Sequence, residues 1–172
     1  MNKLHYSTTI VLALLSFHLP LQAADSIPNE LIDFQGFMAT ARSTGDTRES
    51  HRLTEAQFLK MAAEPETIVL DARSTDKFAL RHIKGAISLH FTDFTVESLA
   101  KAIPKKTTRV LIYCNNNFLG SPAAFASKVA TASLNISTFI ALKTYGYENV
   151  YELGPLLDVR TTKLPFAGTE VK

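Results

Sequence analysis

Apolar and polar positions along the chain fall into short blocks of two kinds. Thr67–Leu70, Ala86–Leu89, Arg109–Tyr113 and Val150–Leu153 are runs rich in β-branched and aromatic residues, of strand length. Between them lie segments with apolar residues three and four apart. Leu53–Met61 places Phe58 with Met61 and Ala62 on one face and offers Thr54 and Gln57 as a capping box. Ser74–Arg81 reads as a short helix with Phe78 inward. Thr95–Ile103 groups Val96, Leu99, Ala100 and Ile103. Ser121–Ala130 is expected to be a helix with Ser121 as N-cap and Pro122 at its first position. Asn135 can cap a further helix through Ile136–Tyr145, stopped by Gly146. Strands alternating with helices predict an α/β fold, a parallel sheet of about five strands with helices on both faces. Ligands in such sheets sit beyond the carboxyl ends of the strands.

The start of the chain has a different pattern. Lys3 precedes a ten-residue apolar run, Thr8–Phe17, too short to span a bilayer, and Pro20-Leu-Gln-Ala23 supplies a helix break and a small residue. Residues 1–23 are therefore expected to be a secretory signal peptide, with an N-terminal membrane anchor as the alternative. A soluble periplasmic or secreted protein starting near Ala24 would result. Residues 24–52 form a polar extension containing Leu31-Ile-Asp-Phe34, read as surface helix or loop. Residues 53–160 form the main domain and 161–172 a C-terminal tail.

Net charge is +2 over 172 residues, with no basic block interleaved with aromatics, so nucleic acid is not an expected partner. His51, His82 and His90 have no metal-ligand spacing, and no metal or organic cofactor is expected. A monomer is expected.

Cys114 is the one cysteine in the chain and ends the Arg109–Tyr113 strand. A lone thiol in an exported protein is either buried and inert or kept because it reacts. A helix starting at Ser121 would direct its positive end at the thiol and favour thiolate, which predicts a lowered Cys114 pKa. Asn115, Asn116, Asn117 and Gly120 tolerate positive φ, as a tight cradle loop needs. The asparagines are equally readable as side-chain contacts to substrate. Phe118 and Leu119 would make the loop rim apolar.

Four segments in order resemble the rhodanese family: Leu70-Asp-Ala-Arg73 onward to Phe78, His82-Ile-Lys-Gly-Ala-Ile-Ser-Leu89, the strand into Cys114, and Tyr145-Gly-Tyr-Glu-Asn-Val-Tyr-Glu-Leu153. The resemblance spans roughly Leu53–Leu153. It implies a sulfurtransferase in which Cys114 takes sulfane sulfur as a persulfide and passes it to a nucleophile, with a small sulfur donor or a protein thiol as partner. Backbone N–H groups of Asn115–Gly120 would hold the anionic outer sulfur. Asp71 and Arg73 are read as a structural pair, and His82 as structural. Two departures stand out. The basic residue many rhodaneses carry five positions after the cysteine is replaced by Leu119, and Gly120 follows. Weak thiosulfate use is therefore expected, raised by Leu119→Arg or Gly120→Arg. The span from Cys114 to Gly146 is also about twice the usual one, and Lys128–Ser137 is extra material suited to a lid or partner surface. The alternatives are a non-catalytic binding module of the same fold and, disfavoured by the absent arginine, a thiol-based oxyanion reductase or phosphatase.

Overall fold

A computed structural model describes residues 27–171. The expected signal peptide lies outside them. Ile27–Ile32 belong to a first unit and make a turn in which the Asn29 side chain accepts from Leu31 N–H at 3.0 Å. The second unit starts at Asp33, whose carboxylate accepts from Gly36 N–H (2.7 Å) and so caps α1, Phe34–Arg48. The polar extension is thus largely one helix, and a 3₁₀ turn, Glu49–His51, leads into β1, Arg52–Leu53.

Helix α2 (Glu55–Ala62) starts with the expected Thr54–Gln57 capping box and buries Phe58 completely. Strand β2 spans Thr67–Asp71, α3 Thr75–Leu80, β3 His82–Ile83 and β4 Ile87–Ser88. Helix α4 (Val96–Ala102) is capped by Thr95, with Ser98 returning the bond; Leu99 is buried, whereas Val96 faces solvent. Strand β5 is Arg109–Tyr113, β6 Phe118–Leu119, α5 Leu134–Thr144 and β7 Val150–Leu153. Strands β8 (Leu157–Asp158) and β9 (Phe166–Ala167) are short. Helix α5 ends as anticipated at Gly146 (φ 83°): Gly146 N–H donates to Lys143 O and Tyr147 N–H to Leu142 O, the paired bonds of a Schellman cap.

The five-stranded sheet runs β1-β7-β5-β2-β4, and every pairing in it is parallel. Alternation along β5 sorts the core into two layers. Leu111 and Tyr113 join Phe58, Phe118, Phe125 and Leu164 on one face; Val110 and Ile112 join Leu99, Ile103, Phe139 and Leu142 on the other. Each such large side chain taken out of water contributes about 1.5–3 kcal/mol. The helices accordingly lie on both faces, as expected for a doubly covered parallel sheet.

Besides the exposed Val96 and an α5 that starts behind Ser133, with Asn135 inside the helix and not its cap, two regions depart from the sequence-based expectation. The segment from 161 is not a loose tail. Strand β9 pairs antiparallel with β3, and Thr169 and Glu170 N–H donate to the carbonyls of Ala79 and Leu80 at the end of α3. The segment 121–130 forms no α-helix beyond a single turn, closed by Phe125 N–H on Ser121 O at 2.8 Å. Its peptide oxygens are taken by side chains instead. Lys77 donates to Ala123 O, Arg73 to Ala124 O and Asn115 to Ala126 O. Phe125 is drawn into the core against Phe118 and Phe166. These bonds and contacts outweigh the helical pattern, whose propensity is worth only tenths of a kcal/mol per residue.

Candidate active site

Strand β5 is the middle strand of the sheet and delivers Cys114 to its carboxyl edge. The chain then makes a 3₁₀ turn at Asn115–Asn117, and Asn117 ties that turn to three elements. Its Oδ1 accepts from Cys114 N–H (2.9 Å) and from Asn135 Nδ2 (3.1 Å). Its Nδ2 donates to Leu153 O (2.8 Å) and Pro155 O (3.2 Å). One amide side chain so fixes the end of β5 to the end of β7 and to the start of α5.

Asn115 and Asn116 face the inserted segment. Asn116 exchanges two bonds with the Lys128 backbone, giving Nδ2 to its carbonyl and taking its N–H. None of the three asparagines has positive φ; in this stretch that conformation falls to Gly120 (φ 87°). The asparagines are selected for side-chain bonding to the protein's own backbone, a role the sequence reading did not consider. Phe118 belongs to the core and not to a rim: it is buried against Tyr113, Phe125 and Phe166. Leu119 is half-exposed on β6, paired with β8, and does not line the cavity at Cys114. Gly120 is also absent from that cavity, and a Cβ there would meet Asp158 Oδ1 at 2.9 Å.

The helix that meets Cys114 is α5, reached only after the excursion through residues 118–132. Its N-cap is Ser133, whose Oγ lies 3.4 Å from Cys114 Sγ and makes no capping bond of its own. At Ser133, and not at Ser121, an eleven-residue helix presents its N-terminus to the cavity that Cys114 lines.

That cavity, of about 220 Å³, is also lined by Asn116, Asn135, Arg48, Arg52 and Glu152. Glu152 on β7 is almost wholly buried, with a side chain 2 % exposed. Its Oε1 takes Arg48 Nη2 at 2.6 Å and Arg52 Nε at 3.2 Å. Burial pushes its carboxyl above the ordinary value, while the two guanidinium groups pull the other way. Three buried atoms among these residues have no partner: Glu152 Oε2, Arg48 Nε and Asn135 Oδ1. Sequence reasoning missed Arg48, Arg52, Ser133 and Glu152. A carboxylate inside the buried strand Val150–Leu153 was the available signal, since such a charge demands a cationic partner.

Asp71, Arg73 and His82 make bonds within the protein. Arg73 grips Asp71 through Nε (2.9 Å) and Nη2 (2.6 Å), and Tyr113 OH donates to the same carboxylate while accepting Ile83 N–H at 3.1 Å. His82 Nδ1 bonds Phe78 O at 2.8 Å and its ring stacks on Phe78. Among the described residues no group of three His, Cys, Asp or Glu side chains is placed to hold a metal ion, and no helix is long and apolar enough to cross a membrane.

The model of the rhodanese-like domain matches residues 54–154. This chain belongs to the rhodanese-like domain family. Solved structures agree on the fold. The BH2092 protein from Bacillus halodurans superposes with a TM-score of 0.51 at 20% identity, over 77% of this chain and 88% of that one. The rhodanese-like domain of the Alr3790 protein from Anabaena sp. gives 0.50 at 19% identity, over 70% and 80%. No curated protein matches the chain. The rhodanese-like fold is that of a sulfurtransferase-like family, and the one thiol of the chain stands at the carboxyl edge of its central strand. Arg48 and Arg52 lie outside the matched segment.

Proposed function

We propose that the protein is a sulfurtransferase that carries sulfane sulfur as a persulfide on Cys114. The observation that carries this reading is the surroundings of Sγ: it lines a cavity at the carboxyl edge of the sheet, beside the Ser133 hydroxyl and the N-terminus of α5. The N-terminus of α5 can hold the anionic outer sulfur of a persulfide, and the Ser133 hydroxyl stands within reach of it. The Cys114 thiolate attacks the outer sulfur of a donor. The sulfur–sulfur bond to Cys114 forms, the donor's own bond to that sulfur breaks, and its electron pair leaves with the rest of the donor. A second nucleophile, a small molecule or a protein thiol, then removes the outer sulfur and restores the thiolate. The proposal includes export, which rests on the apolar run at Thr8–Phe17 and the small residue Ala23, and, as a separate part, a monomeric state.

A second reading, a binding module of the same fold, is favoured by the burial of Cys114, which is only 1 % exposed. Intact mass after treatment with thiosulfate or polysulfide separates the two. Gain of one sulfur, absent in Cys114→Ser, is the outcome expected of the carrier; an unchanged mass with both donors leaves the binding module. Cell fractionation tests export, which a full-length chain held in the inner membrane would refute.

A further inference from the structure

We infer that residues 126–133 are a lid that must lift before a reagent reaches Cys114, and that Asn116 is the positioning residue that latches it shut. The lid bears on the thiol of the sulfurtransferase reading, but its opening is read without any sulfur transfer.

The thiol needs such a movement. Cys114 lines its cavity, yet the residue is only 1 % exposed. Ala130 and Ser133, both of the inserted segment, wall the same cavity, and Ser133 Oγ stands 3.4 Å from Sγ. An attacking pair of atoms has to come within about 3–3.5 Å, and the Ser133 hydroxyl already stands at that distance.

The segment is held in a way that permits it to lift. Its ends are fixed, at Phe125 in the core and at Asn135 in the first turn of α5, both buried. Between them residues 126–132 are all exposed, and Val129, their one large apolar side chain, is 72 % exposed. Burial of apolar surface therefore gives these residues little hold on the domain. Their own turn is local, with Ala132 N–H on Val129 O and Ser133 N–H on Ala130 O. Among the described residues, the bonds from 126–133 to the chain before them go to Cys114 and the asparagine turn alone. Asn115 reaches Ala126 O at the hinge. Asn116 works in mid-span, accepting Lys128 N–H (3.0 Å) and donating Nδ2 to Lys128 O (2.8 Å). There is also space beside the segment. A second cavity, of about 440 Å³, separates Ala126, Ser127 and Lys128 from His90 and Phe91, and Cys114 does not line it.

Iodoacetamide, which is uncharged, reports access to the single thiol. Folded wild-type protein is expected to react at least about tenfold more slowly than the urea-unfolded chain at equal pH. Asn116→Ala is expected to raise the folded rate about tenfold, the factor that about 1.4 kcal/mol of lost bonding makes in an equilibrium. Asn149→Ala deletes a comparable amide-to-carbonyl bond, to Thr107 O before β7, and leaves the rate unchanged. The pH profile separates a latch from an altered thiol. Lifting a lid raises the rate by one factor at every pH; a shifted midpoint with no such rise overturns the inference. Hydrogen exchange of wild-type protein needs no variant and decides where Asn116→Ala fails to fold. The amides of Lys128, Ala132 and Ser133 should exchange together and ahead of those of β5. Protection equal to that of β5 overturns the inference, as does an unchanged alkylation rate in folded Asn116→Ala protein. Faster alkylation in that variant with no sulfur uptake from any donor refutes the sulfurtransferase reading and leaves the latch standing. Sulfur uptake with unchanged alkylation does the reverse.

Discussion

Two arginine–carboxylate clusters stand at the same carboxyl edge of the sheet, on opposite sides of β5. In one, Asp71 at the end of β2 holds Arg73, Tyr113 closes over them, and both charged side chains are 1 % exposed or less. Every donor of the Arg73 guanidinium shown in the contacts is spent, on Asp71 and on the carbonyls of Ala124 and Arg81. In the other, Glu152 on β7 shares one oxygen between Arg48 and Arg52, the arginine side chains are 30% and 39% exposed, and buried polar atoms lack partners. Arg52 is spent like Arg73, on Glu49, Glu152 and the Gly154 carbonyl, so what remains unpartnered in the second cluster is Glu152 Oε2 and Arg48 Nε. A saturated buried pair can bind nothing more and serves the fold. The second, with atoms unpartnered and arginines open to water, is the less tightly determined of the two.

The largest effect expected from breaking this contrast is on stability. Arg73→Leu leaves the Asp71 carboxylate buried without its cation and should cost about 3–5 kcal/mol in a denaturant titration. It also frees the Ala124 and Arg81 carbonyls that Arg73 bonds. Arg48→Gln, made at a partly exposed site where Arg52 still meets Glu152, should cost about 1 kcal/mol. Equal losses in the two variants would mean that the clusters do the same job.

The dry cluster was legible in the sequence and the open one was not, for a reason of range. Asp71 and Arg73 are two residues apart on a strand end, and local pattern suffices to pair them. Strands β2, β4, β5 and β7, the α2 N-terminal cap, the Gly146 stop and the position of Cys114 are equally local. Arg48, Ser133 and Glu152 meet only because β1 adds beside β7 and the chain after Cys114 travels through residues 118–132 before α5 begins. Leu119 stands five positions after the cysteine, whereas Arg48 and Arg52, which line the Cys114 cavity, lie more than sixty residues before it, on an extension read as polar surface. The failed helix at Ser121–Ala130 has the same origin. Ser121 and Pro122 suit a helix start locally, but side chains from α3, Arg73 and the asparagine turn capture the carbonyls that follow.

A smaller effect sharpens the comparison from the dry side. Burial, and then the neighbouring Asp71 carboxylate, hold the Tyr113 phenol well above its ordinary value. In the unfolded chain that phenol loses its proton near pH 10, while in the folded protein it keeps it. The native state thus binds more protons than the unfolded state, and stability falls as pH rises above about 10, by up to about 1.4 kcal/mol per pH unit. Below that pH the contribution is fully present. Urea midpoints measured from about pH 8 to about pH 11 should decline more steeply in wild-type protein than in Tyr113→Phe. Parallel declines would show that Tyr113 ionises as freely folded as unfolded, and the cluster would not be the closed unit described.

The smallest effect is expected where the sequence pointed most directly. By its position after Cys114, Leu119 reads as the vacancy left by a loop arginine, and Leu119→Arg as its repair. On β6, however, Leu119 pairs with Asp158 of β8 and is 49% exposed, and its side chain takes no part in the cavity that holds the thiol. An arginine there gains a solvated head that can meet the Asp158 carboxylate, at a surface where such pairs contribute between nothing and about 1 kcal/mol. It brings no guanidinium to Sγ. Stability should change by less than about 0.5 kcal/mol, and sulfur loading of Cys114 from thiosulfate by less than about twofold. A tenfold gain would instead mean that the Phe118–Gly120 segment turns inward when the site is charged. The cavity walled by Arg48 and Arg52 would then not be where the donor binds.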